Sequence, residues 1–114
     1  MIHFYSCKNL KETEAFWERF ELSLYTRQPN TVIFDSKEGM IGFVEKENHI
    51  EPVYSCVSFV METKEEVDSM YSKFSQEALG APSVHPTAPV YSFFMKDPNG
   101  ILIEFQQFID ENES

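Results

Sequence analysis

The order of local signals along this chain occurs twice, and that repetition limits the fold more than any other feature of the sequence. Residues 1–7 alternate as a strand, with Ile2, Phe4 and Ser6 on one side and His3, Tyr5 and Cys7 on the other. Asn9 is placed to cap a helix, and Leu10, Thr13, Phe16, Trp17 and Phe20 follow at helical spacing. Residues 22–27, 31–35 and 40–45 read as strands, separated by turns at Gln28-Pro29-Asn30 and Ser36-Lys37-Glu38-Gly39. A polar, charged connector over 46–52, closed by Pro52, ends the first copy, and His49 reads there as a solvent-facing linker residue.

The second copy opens with a β-rich run over 53–61. Thr63 and Glu66 stand at capping-box spacing, and Val67, Met70, Tyr71 and Phe74 form a helical stripe that Gly80 is expected to end in the C′ role. A short edge strand is expected over 82–85, because prolines cannot serve a central ladder. Strands are expected over 90–96 and 101–108. Each copy therefore reads strand, helix, strand, strand, strand. The predicted class is α+β: two βαβββ modules whose curled mixed sheets surround a cleft, with a helix on the outer face of each. Residues 1–109 read as a single domain, with module one at 1–47 and module two at 53–108. Residues 110–114 read as an acidic, frayed tail.

Asp97-Pro98-Asn99-Gly100 is a strong turn signal, since Pro presets φ and Asn-Gly supplies positive φ cheaply. In the strand behind it, Ile101, Ile103 and Phe105 share one face, while Leu102, Glu104 and Gln106 share the other. The second face sets one carboxylate among uncharged neighbours. Burial in an apolar cleft would raise the pKa of such an acid and suit it to general acid–base work; a rim carboxylate paired with a cation is the plainer alternative. Phe93 and Phe94 are adjacent in an alternating strand, so one should face the helix and the other the cleft. Aromatic faces in a cleft favour flat or apolar ligands.

A formal net charge of −10 argues against nucleic acid and anionic membrane surfaces as partners. The sequence contains no apolar run of membrane-spanning length and no signal-peptide pattern, so a cytoplasmic location is expected. Cys7 and Cys56 make no disulfide framework. A Gly-rich phosphate loop, a Gly-x-Ser-x-Gly elbow and a Cys-x-x-Cys pair are all missing from the sequence.

With these residues in place, the chain resembles the vicinal oxygen chelate superfamily, which includes glyoxalase I, bleomycin-resistance proteins, fosfomycin-resistance enzymes and extradiol dioxygenases. The resemblance covers residues 1 to about 108. It rests on Asp97-Pro98-Asn99-Gly100 followed by Ile103-Glu104-Phe105, on Asn9-Leu10, Thr13 and Phe16-Trp17, and on the register of residues 56–74. It implies paired βαβββ units, a homodimer, and a small-molecule cleft on the concave sheet faces. In metal-bearing members the first strand of each unit gives a His and the last a Glu. Here Glu104 matches one of the four positions, Cys56 stands where the second unit's His would be, and Gly42 and Ile2 occupy the remaining two. His3 neighbours Ile2 and would count only if its strand shifted by one residue.

No metal is therefore expected; a Ni, Zn or Fe centre would have to use Glu104, Cys56 and His3, and a free cysteine is more commonly a small buried apolar residue. The leading expectation is a metal-free small-molecule binder. Its catalytic or anchoring acid is Glu104, and its contacts are Phe4 and Ser6 from the first strand, Cys56 and Ser58 from the fifth, and Phe93, Leu102 and Gln106 from the last two. The alternatives are a metal-dependent glyoxalase-like lyase or isomerase, and a metal-free enzyme using Glu104 as acid or base. His85, between Val84 and Pro86, lies where the cleft would open and reads as a plain surface residue.

Overall fold

Asn9 and Thr63 start the two helices in the computed structural model, which describes residues 1–50 and 55–109. The Asn9 side chain accepts from the Glu12 amide at 2.9 Å, opening α1 (Leu10–Trp17), which a 3-10 turn extends through Phe20. Thr63 accepts from the Glu66 amide at 3.1 Å, opening α2 (Lys64–Phe74). Both contacts satisfy amides that a first helical turn leaves without partners. Glu21, at φ 60, ends the first helical segment. α2 stops at Phe74 without a glycine, because the amides of Glu77 and Ala78 both reach the Phe74 carbonyl. Gly80 therefore lies well beyond the helix, not at C′ as expected.

The strands are β1 (Ile2–Cys7), β2 (Ser23–Gln28), β3 (Thr31–Asp35), β4 (Met40–Glu45), β5 (Cys56–Val60), β6 (Ser83–Val84), β7 (Val90–Lys96) and β8 (Leu102–Phe108). They form two four-stranded mixed sheets, ordered β1-β4-β3-β2 and β5-β8-β7-β6, with the parallel pair at the same place in each. The doubled βαβββ order is the one expected. Residues 53 and 54 of the expected fifth strand, Pro52 and the acidic tail lie outside the described residues.

Two units result, one of residues 1–50 with 97–100 and the other of 55–96 with 101–109. In the first, Trp17 and Phe20 meet edge to face, and Trp17 packs on Phe43, ring centres 5.0 Å apart. In the second, Phe74 stacks on Phe105 and Tyr71 meets Phe93 edge to face. Each sheet thus has one face under its helix and one open face. No helix among the described residues is long and apolar enough to cross a membrane.

Candidate functional site

Strand period and register decide what the open face of the second sheet carries. Ser58 of β5 and Phe94 of β7 both stand directly opposite Glu104 of β8. Cys56 and Lys96 flank Leu102, and Val60 and Ser92 flank Gln106. Opposite residues in a ladder point to the same side, so these side chains share the face away from α2. Glu104 is half-buried at its centre. The Ser58 hydroxyl donates to Glu104 Oε1 at 3.0 Å, and the Gln106 amide donates to the Ser58 hydroxyl. This ladder has a direction: amide to hydroxyl to carboxylate. It ends on an acceptor.

Beside the ladder lies a cavity of about 440 Å³, whose lining includes Phe93, Phe94, Leu102, Ser92, Ser83 and His85. Small-molecule pockets run from roughly 300 to 1,000 Å³. The Thr87 amide donates to His85 Nδ1 at 3.1 Å, so a neutral His85 ring carries its proton on Nε2, as a donor. The Cys56 thiol is held above its ordinary pKa, first by burial and then by the Glu104 charge.

One expectation is corrected here, and one condition is not met. Phe93 borders the cavity, but it is only 1% exposed and its ring packs against Tyr71 of α2 and Phe105, so Phe94 takes the open-face place instead. His3 pairs with Ile41 in an unbroken parallel register and shares the helix-side face with Tyr5 and Cys7. No bulge re-registers β1, so His3 is not turned to the open face.

The open face of the first sheet carries Phe4, Ser6, Gly42, Val44 and Ile33. The Phe4 ring lies over Gly42, where a Cβ would stand 2.6 Å from its Cε1 atom. Ser6 is half-buried, and its Oγ lies 2.7 Å from Nδ1 of His49. His49 is consequently no solvent-facing linker residue. Its Nε2 faces the Asn99 carbonyl at 3.3 Å. Asn99 is itself held firmly: its side-chain amide donates to Thr13 Oγ1 and Asp97 Oδ2, and its Oδ1 accepts from the Lys8 amide. Asp97 Oδ2 also accepts from the Trp17 indole at 3.0 Å.

The donor set of a metal-bearing relative is not assembled by these residues. Gly42 has no side chain and sits beneath Phe4, His3 is exposed on the helix-side face, and the open face of the second sheet offers Cys56 and Glu104. Among the described residues no three His, Cys, Asp or Glu side chains are grouped to hold a metal ion.

The sequence matches the family model of the Glyoxalase/Bleomycin resistance protein/Dioxygenase superfamily over residues 2–105, and the chain belongs to that superfamily. Among solved structures it is similar to a glyoxalase/bleomycin resistance protein/dioxygenase from Nocardioides. That likeness has 14% identity and a TM-score of 0.83, covering 99% of this chain and 85% of that one. A lactoylglutathione lyase from Agrobacterium tumefaciens is 21% identical, with a TM-score of 0.77, covering 94% and 91%. A bleomycin-binding protein complexed with bleomycin is 17% identical, with a TM-score of 0.72, covering 94% and 96%. At these identities the likeness is one of fold. No curated protein sequence matches the chain.

Proposed function

We propose that this chain is a metal-independent small-molecule-binding protein that holds its ligand on the open face of the second sheet. The observation that carries the reading is the cavity lined by Phe94 and Leu102, next to a hydrogen-bond ladder that ends on Glu104. An aromatic wall favours a flat, partly apolar ligand. A carboxylate already holding one donor favours a ligand bearing an N–H, O–H or cationic group. The bleomycin-binding relative shows that this fold carries ligand binding in at least one case. Metal independence is supported by Gly42 beneath Phe4 and by the place of His3 on the helix-side face of its sheet. The resemblance extends the proposal to a homodimer, and a monomer in micromolar sedimentation runs would remove that part.

The test joins elemental analysis of the purified protein with thermal-shift titration against bleomycin and a panel of small aromatic amines. The expected result is no stoichiometric metal, with a shift that grows with ligand concentration by mass action. Phe94→Ala and Glu104→Gln should each weaken that binding about tenfold or more. Stoichiometric Ni, Zn or Fe, with activity lost to a chelator, would establish the lyase reading instead. Turnover that survives chelation and vanishes in Glu104→Gln would establish the metal-free enzyme.

A further inference from the structure

His49 lies between an acceptor and a hydroxyl, and that placement decides its tautomer. The Asn99 carbonyl at Nε2 has no proton to give, so Nε2 carries the hydrogen of the neutral ring. Nδ1 is then the basic nitrogen, and it lies 2.7 Å from Ser6 Oγ. A hydroxyl whose proton is directed into an oriented imidazole lone pair is the arrangement of an activated nucleophile. The third group, which orients the base, is here a backbone carbonyl. Asn99 is buried to 5% exposure, and bonds to Thr13, Asp97 and Lys8 fix it. Asn99 is therefore a positioning residue, and the pair it serves belongs to the first unit, whereas the face proposed above for ligand binding belongs to the second.

We propose that Ser6 and His49 form a nucleophile and general base that take an acyl group from small activated esters. The neighbours of Ser6 on its face give the substrate class. Phe4 lies two residues along β1 with 54% of its surface exposed, and Val44 stands opposite Ser6 in β4. An apolar or aryl acyl group suits those walls, and no charged partner is required of it.

The chemistry balances with water as the only co-reactant. Ser6 Oγ bonds to the acyl carbon while its proton passes to His49 Nδ1. The carbon–oxygen bond to the leaving group then breaks, and the departing oxygen takes the electron pair and the His49 proton. Water next adds to the acyl carbon, giving a proton to Nδ1. The bond to Ser6 Oγ breaks, Oγ recovers that proton, and the carboxylic acid leaves.

The experiment uses the full chain with p-nitrophenyl butyrate and, separately, a fluorophosphonate probe. The expected result is a burst of p-nitrophenolate and a mass increase from either reagent on the peptide containing Ser6. Ser6→Ala abolishes both. His49→Gln, which keeps a side chain of similar reach, slows the burst by roughly 100-fold or more, the usual share of a general base. Thermal unfolding of each variant shows whether it is folded. Absence of labelling at Ser6 in folded wild-type protein overturns the proposal, as does an unchanged rate in folded His49→Gln. Either result would leave the hydrogen bond as a structural tie for the connector.

Discussion

The ring of Phe4 covers Gly42 so closely that a methyl group at that position would stand 2.6 Å from Cε1 and 2.7 Å from Cδ1. Glycine in a strand interior normally costs about 0.5–1 kcal/mol relative to alanine, so alanine would ordinarily stabilise. Here the two effects oppose each other. Gly42→Ala in the wild type is expected to be neutral or to destabilise by about 1 kcal/mol, because the ring must leave its rotamer. In a Phe4→Ala background the same change is expected to stabilise by about 0.5 kcal/mol, the Ile33 Cγ1 atom at 3.3 Å limiting the gain. A double-mutant cycle by urea denaturation reads the coupling directly. Equal effects in both backgrounds would mean that the ring does not rest there.

Asp97 is 5% exposed, and its carboxylate accepts from the Trp17 indole, the Asn99 backbone amide and the Asn99 side chain. Removing it strands several buried donors, each costing about 1–3 kcal/mol. Asp97→Ala is accordingly expected to cost about 3–5 kcal/mol in denaturant unfolding, and Asp97→Asn less, since one oxygen remains. A loss below 1 kcal/mol in Asp97→Ala would show that water replaces the carboxylate.

This network also marks where reading the sequence succeeds and where it stops. The turn signal, the caps at Asn9 and Thr63, the alternation around Glu104 and the doubled element order are local, and the strands and helices they predict are observed. Phe93 alternates with Tyr91 and Met95, and Phe94 with Ser92 and Lys96, so the period already favoured Phe93 for the helix side, and the β7–β8 register settles it. His49 offered no signal at all: it meets Ser6 across 43 residues of chain, from a connector whose composition reads as solvated. Gly80 misled because a glycine near a helix end is a frequent C′ residue, whereas here amides of the following turn close the helix.

Both thiols are expected to be sluggish. Burial raises Cys7 above its ordinary range, and burial followed by the Glu104 charge raises Cys56. The thiolate is the reactive form, so native protein near pH 7 should react slowly with a disulfide reagent, Cys56 ahead of the fully buried Cys7. Glu104→Gln removes the smaller of the two causes at Cys56. Its rate should therefore rise severalfold, by less than about tenfold, without reaching that of a free thiol. An unchanged or slower rate in Glu104→Gln would separate the carboxylate from the thiol.

Tyr91 is expected to ionise late. Its hydroxyl donates to Asp68 Oδ1 at 2.5 Å, and this bond, with partial burial and the Asp68 charge, pushes its pKa up to about 12. The folded state holds the phenolic proton more tightly than the unfolded chain, whose tyrosines ionise near 10. The stabilisation is therefore complete below about pH 10 and is lost as pH rises from there toward 12. Absorbance titration near 295 nm should show a late component in the folded protein that Tyr91→Phe removes. Asp68→Ala should return it toward the ordinary tyrosine value near 10, because it removes the bond that is the largest cause together with the charge opposing ionisation. A late titration that persists in Asp68→Ala would assign the shift to burial instead.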